Sequence, residues 1–187
     1  MAFLTQEDIT SIGFKYIGRN VKISDKCVIY NPELIEIGDN SRVDDFCVLS
    51  GRIVIGRNIH ITVYCNIAGG EPGVHIDDYS TIAYGCHIMS QSDDYTGSTM
   101  TNSTIPKKYK AEIYKKVCIG KHVIIGAGSI ILPGANIEDG CSIGAMSLVT
   151  KPTESWGIYF GVPARKIKNR SKKLLEHFEE YLKNDSI

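Results

Sequence analysis

The 187-residue sequence has no CxxC pair, no HxxxxH pair and no excess of either charge. Each absence excludes something. Without closely spaced cysteines or histidines there is no ready ligand set for zinc, and no metal is expected. Lys plus Arg and Asp plus Glu balance at 21 each, so the bulk charge does not call for nucleic acid or an anionic membrane surface. A transmembrane helix needs about 18 or more apolar residues in a row, and a secretory leader needs a basic stretch before an apolar one. Neither pattern occurs, and the N-terminus reads MAFLTQEDIT. Apolar residues make up 43%, an ordinary share for one folded domain.

What is present is a period of six. An aliphatic residue recurs every six positions, often followed by Gly or Asp. The clearest stretches are IGRNIH-ITVYCN-I from Ile55, IGKHVI-IGAGSI-I from Ile119 and IEDGCS-IGAMSL-V from Ile137. Weaker copies begin at Ile17, Ile37 and Ile76. A six-residue period fits neither an amphipathic helix nor a simple alternating strand. It fits a triangular solenoid in which each hexad is a short strand plus a corner and three hexads make one turn. Turn starts are therefore predicted at Ile17, Ile37, Ile55, Ile76, Ile119 and Ile137. Successive turns stack as parallel strands about 4.8 Å apart, and stability comes from stacking several of them.

This register also places the cysteines. Cys27, Cys47, Cys65 and Cys86 share the small inward position of the second hexad, and Cys141 holds the same position in a first hexad. They are expected to form an interior column of reduced thiols, since free cysteine packs as a small hydrophobe. Reduced thiols point to the cytoplasm.

The period fails between Ile88 and Ile119, where a polar segment of about 25 residues reads as a long excursion from one corner. Long loops within compact domains are often functional. The organisation expected is an N-terminal segment with a short helix (1–16), an all-β solenoid (17–165) interrupted by a loop at about 90–116, and a C-terminal tail (166–187). In that tail Leu174, Leu175, Phe178 and Leu182 fall at helical spacing and predict an amphipathic helix.

The repeats, the loop SDDYTGSTMTNSTIP and the closing segment VTK…WGIYFGVPARKI together resemble the hexapeptide-repeat acyltransferases. The branch with galactoside and maltose O-acetyltransferases and sugar acetyltransferases of surface-polysaccharide pathways is the most similar. The resemblance covers Ile17 to Arg170. It implies a left-handed parallel β-helix, acetyl-CoA as co-substrate, and a homotrimer with active sites in the clefts between subunits. The donor is expected along Gly126, Ala127, Gly144 and Ala145, whose small side chains let a pantetheine arm approach the backbone, near Thr150, Lys151 and Arg165. The basic stretch Arg165 to Lys173 is expected to meet the phosphates.

Acyl transfer from a thioester needs the acceptor to lose a proton, and a positioned base typically contributes about 10²–10⁴ in rate. In the galactoside branch the catalytic histidine sits where the long loop begins. The matching position here is Asp93, followed by Asp94. His60, at the corner closing IGRNIH, is the histidine expected to act as base, with Asp93 orienting it or the acceptor and His87 as the second candidate. Asp94, Tyr95 and Tyr64 are expected to bind the acceptor. Tyr95, Tyr109 and Tyr114 are also placed to stack on a sugar or base.

The function expected is acetyl transfer to a sugar hydroxyl in surface-polysaccharide biosynthesis. N-acetylation of a nucleotide-linked amino sugar is the alternative, and a non-catalytic trimeric scaffold is the alternative of another class.

Overall fold

The computed structural model describes residues 2–184; residues 1 and 185–187, the extreme ends of the two terminal segments, lie outside the described residues. The chain is a parallel β-solenoid. All six predicted turn starts stack on one another: Ile17 pairs with Ile37, Ile37 with Ile55, Ile55 with Ile76, Ile76 with Ile119 and Ile119 with Ile137. A second face carries Ile23, Val43, Ile61, Ile82, Ile125, Ile143 and Tyr159 in register. A third carries Ile29, Leu49, Ile67, Ile88, Ile131 and Val149. The second face therefore has seven levels, one more than the repeat reading counted, because Tyr159 extends it without an aliphatic hexad.

These three columns are the core. Every member is buried except Ile17 and Ile29 of the first turn, which have no turn beneath them. A short helix, α1 (Gln6–Ile12), tucks Ile9 into this end of the core. It starts at a capping box in which Thr5 and Asp8 exchange hydrogen bonds, which satisfies two otherwise orphaned backbone groups.

The small inward positions do more than fill space. Cys47 Sγ donates to the Thr62 carbonyl (3.0 Å), Cys65 Sγ to Ala83 (3.1 Å) and Cys86 Sγ to Gly126 (3.2 Å). The hydroxyls of Ser41, Ser80 and Ser129 make the same step up to Gly56, Gly120 and Gly144. Each thus satisfies a carbonyl that the corner turns away from the sheet. All six cysteines are free. Burial pushes the Cys27 thiol up to about 12. The contact with Cys65, and then burial, raise Cys47 and Cys86 as well.

The corner between the first and second faces alternates in charge from turn to turn: Arg19, Asp39, Arg57, Asp78, Lys121, Asp139. Each carboxylate accepts the backbone N–H of the basic residue one turn earlier, at 2.8 Å for Arg19, 2.9 Å for Arg57 and 2.7 Å for Lys121. Ion pairs join Arg19 to Asp39 and both Arg57 and Lys121 to Asp78. This edge is a register device written in side-chain charge.

The expected C-terminal helix is present, and a return strand that was not expected precedes it. Gly157–Phe160 stacks in parallel on Ser142–Ile143, then Arg165–Asn169 returns antiparallel along it. Arg170 follows. Its guanidinium donates to the carbonyls of His122, Gly140 and Cys141 at 2.7–3.1 Å, so within the basic stretch this cation is held by the prism rather than left free for phosphates. A second helix, α2 (Leu174–Asn184), crosses the charged corner. Phe178 packs edge-on against Tyr79 and His122, and burial there lowers the affinity of His122 for a proton. Among the described residues no helix is long and apolar enough to cross a membrane.

Candidate active site

His60 lies on the short strand His60–Ile61 of the second face, flanked by Arg42 below and Thr81 above. Because Ile61 points inward, His60 points out. Its Nε2 is 2.9 Å from Oδ2 of Asp44, which the same face places one turn earlier. Asp44 is itself buried and accepts from Nε of Arg42 at 2.5 Å. A half-exposed imidazole held by a buried carboxylate is oriented and keeps one ring nitrogen for another partner.

The corner from the second to the third face runs Phe46, Tyr64, Gly85, Gly128 and Met146, all in the left-handed backbone region. One position earlier lie Asp45, Val63, Tyr84, Ala127 and Ala145. The edge therefore changes character along its length, aromatic at Phe46, Tyr64 and Tyr84 and then small at Ala127, Gly128 and Ala145, with the exposed Met146 at its end. The small residues have packing reasons of their own. A Cβ on Gly126 would stand 2.4 Å from the Ala145 nitrogen, and one on Gly144 would meet the Phe160 ring at 2.1 Å. Ala145 is open to solvent, as are Lys151 and Arg165.

The excursion leaves the third face after Ile88. A two-residue antiparallel pair, Gln91–Ser92 with Ile113–Tyr114, closes its base. Beyond this staple Asp94 organises the loop. It accepts from Thr96 N (2.8 Å) and from both N and Oγ1 of Thr99 (3.1 Å), and the bonds from Thr96, then Thr99, hold its carboxyl below the usual range. Asp94, expected to bind the acceptor, thus already holds the loop's own backbone. Asp93 makes one longer contact, from Asn102 N at 3.3 Å.

Of the cavities at the loop base, two share Ser92. An apolar groove of about 560 Å³ is lined by Met89, Tyr95, Ile113, Ile130, Leu148 and Thr150 among others. A polar cleft of about 220 Å³ is lined by Gln91, Ser92, Asp93, Ser103 and Glu112. Ser92 borders both. Tyr95 and Thr150, expected on acceptor and donor sides, share the apolar groove. His60 and His87 stand on different faces of the prism, and His87 is exposed between Asn66 and Ile130.

Residues 116–151 match the family model for the bacterial transferase hexapeptide (six repeats). The chain is 45% identical over 179 residues to dTDP-4-amino-4,6-dideoxy-D-glucose acyltransferase of Escherichia coli, covering 94% of this chain and 93% of that protein. The chain belongs to the hexapeptide-repeat acyltransferases. Among solved structures, AntD, an N-acyltransferase from Bacillus cereus in complex with dTDP and 3-hydroxybutyryl-CoA, superposes with a TM-score of 0.95 at 46% identity, covering 97% of this chain and 96% of AntD. Galactoside O-acetyltransferase of Lactococcus lactis is 35% identical over 129 residues, 65% of this chain and 59% of that enzyme.

As a member of the hexapeptide-repeat acyltransferases the chain is an enzyme of acyl transfer. Two site features escaped the sequence reading. Asp44 as partner of His60 was within reach: Arg42 and His60 are one 18-residue turn apart, so Asp44 lies beside His60 in the next outward column. The Phe46 step of the edge was also signalled, by a bulky residue where later turns place Gly85 and Gly128. The two cavities were not signalled, because they depend on where the loop folds back.

Proposed function

We propose that the enzyme transfers a short acyl group from a coenzyme A thioester to the amine of a dTDP-linked 4-amino-4,6-dideoxy sugar. The observation that carries this reading is the end-to-end match to AntD, which holds dTDP and 3-hydroxybutyryl-CoA, at TM-score 0.95 and 46% identity. It favours the amine acceptor over the sugar hydroxyl expected first. Acetyl-CoA and its longer homologues are the donors to compare.

In this reading three copies pack in parallel, and each cleft is bounded by the aromatic-to-small edge of one copy and the loop of the next. The pantetheine arm lies along Ala127 and Ala145, with Gly126 and Gly144 keeping the wall flat and Thr150, Lys151 and Arg165 toward the nucleotide end. Asp93, the loop carboxylate at the polar cleft, orients the acceptor's amino group, with Asp94 shaping the loop around it, Tyr95 beside the sugar and Tyr64 binding the acceptor farther along the edge. His60, steadied by Asp44, takes the proton; His87 is the second candidate for that step. The amine nitrogen attacks the thioester carbonyl carbon, the carbon–sulfur bond breaks, and the proton shed by nitrogen balances the thiol released. The setting proposed is cytoplasmic, supplying acylated sugars for surface polysaccharide.

The test is a thiol-release assay with acetyl-CoA and 3-hydroxybutyryl-CoA against dTDP-linked amino sugars and free galactosides. Release with the dTDP amino sugar is expected. Release only with the galactoside would return the enzyme to O-acylation, and silence with no CoA binding would favour a scaffold. His60→Ala should lower turnover at least tenfold with the assembly intact; near-normal turnover removes it as base.

A further inference from the structure

The edge between the second and third faces asks each residue at its sharpest point to adopt a left-handed backbone. Gly85 and Gly128 take it freely, and Met146 (φ 57°) takes it at the far end of the row. Phe46 (φ 60°) and Tyr64 (φ 62°) take it with bulky side chains, where such conformations are genuine outliers. The strain secures no burial, because Phe46 is 47% and Tyr64 61% exposed. The two rings stack on each other with centroids 5.1 Å apart and planes 12° apart. The Lys26 ammonium, 3.8 Å from Asp45, lies 5.6 Å from the Phe46 ring centre. The result is an exposed aromatic step built from two stacked rings, at corners where the fourth and fifth turns place glycine. Bulky residues take this backbone at other corners too, Tyr79, His122, Met146 and Trp156 among them, so what sets Phe46 and Tyr64 apart is that they form an exposed pair of stacked rings.

We propose that Phe46 and Tyr64 form a stacking platform for the pyrimidine base of the nucleotide-linked acceptor. This rests on the acyl-transfer reading above and assigns a subsite within it. The geometry follows from level counting. Phe46 and Tyr64 belong to the second and third turns, Tyr84 and Gly85 to the fourth, and Ala127 and Ala145 to the fifth and sixth. Rotation about an axis parallel to the prism keeps levels aligned, so the neighbouring copy's loop, rooted at Gln91–Ser92 in its fourth turn, arrives at the level of Tyr84. A base on the Phe46–Tyr64 pair and a thioester at Ala127 are then two to three strand spacings apart, about 10–14 Å. The diphosphate and sugar fill that interval and bring the amine to the neighbour's Asp93. Acceptor and donor lie end to end along one edge, aromatic steps for the base and small steps for the pantetheine.

The experiment uses the full chain with dTDP and acyl-CoA as probes. Calorimetry on the wild type first establishes dTDP binding; failure there sinks the nucleotide reading itself, not the platform alone. Phe46→Gly and Tyr64→Gly adopt the residue that the fourth and fifth turns use at this corner, so the melting temperature is expected to stay level or rise. Each should weaken dTDP about tenfold, the size of one lost base–aromatic stack, and raise the acceptor KM similarly, with acyl-CoA affinity within twofold. Phe46→Tyr and Tyr64→Phe should restore wild-type affinity. Unchanged dTDP affinity in both glycine variants overturns the platform. So does loss of the oligomer, or an equal fall in acyl-CoA affinity, since either would make the edge a subunit contact instead.

Discussion

Two edges of the same prism solve the same corner geometry in opposite ways. At the edge between the first and second faces, side chains turn back on the protein: Asp39, Asp78 and Asp139 each cap the backbone one turn away, alternating with Arg19, Arg57 and Lys121, and α2 covers the middle of the row. At the edge between the second and third faces, Phe46, Tyr64 and Tyr84 turn outward and are exposed. The first edge spends its chemistry on register and the second leaves it available. A corner of a solenoid is thus a place where structural and functional demands can be separated by thirds of a turn.

The largest test of this division lies at the loop that, in the proposed assembly, meets the second edge of a neighbouring copy. Asp93→Asn, which keeps shape and removes charge, should lower kcat about 10²-fold or more with circular dichroism and melting unchanged; turnover within threefold of wild type would take Asp93 out of the site. Next, Ala145→Phe should raise the acyl-CoA KM about tenfold while leaving the acceptor KM alone, because Ala145 is exposed on the small end of the edge. Equal effects on both substrates would contradict the end-to-end arrangement. On the other edge, Asp78→Asn should cost about 1 kcal/mol, the scale of an exposed charged contact network, and leave both KM values in place; a KM change would erase the contrast between the edges.

The smallest effect concerns α2. His122 resists protonation where Phe178 covers it, so its docked pKa lies below the undocked value of about 6.5. The undocked state then binds more protons as pH falls. Docking is at full strength above about 6.5 and weakens below it. The protection factors of the Leu174–Asn184 amides, with the intrinsic pH dependence of exchange divided out, should fall between pH 7 and 5.5, and His122→Asn should flatten that dependence.

The fold was written plainly in the sequence because the repeat is also the packing rule. An aliphatic residue at every sixth position fixed all six turn starts, and the excursion after Ile88 returned in register at Ile119. The seventh level was hidden, since Tyr159 is not an aliphatic and its strand is closed by Arg165–Asn169 from the opposite direction. At the site, types of residue were legible but partners were less so. His60 stood out as a corner histidine, whereas its union with Asp44 depends on counting one turn across a face. Asp94 stood out equally with Asp93, yet only the coordinates separate the carboxylate that ties the loop from the one at the polar cleft. The choice between amine and hydroxyl acceptor had no residue signature at all, because the same cleft chemistry serves both.

The closure of the excursion by Gln91–Ser92 against Ile113–Tyr114, with Lys115 N donating to the Ser90 carbonyl at 2.9 Å, has an evolutionary corollary. The rungs on either side, Ile76 on Ile119 and Ile88 on Ile131, stack as if nothing had been inserted. Whatever lies between Ser92 and Ile113 can be lengthened, rewritten or grafted from a cousin without shifting a single rung. The excursion can therefore vary as a cassette, decoupled from the scaffold that carries it.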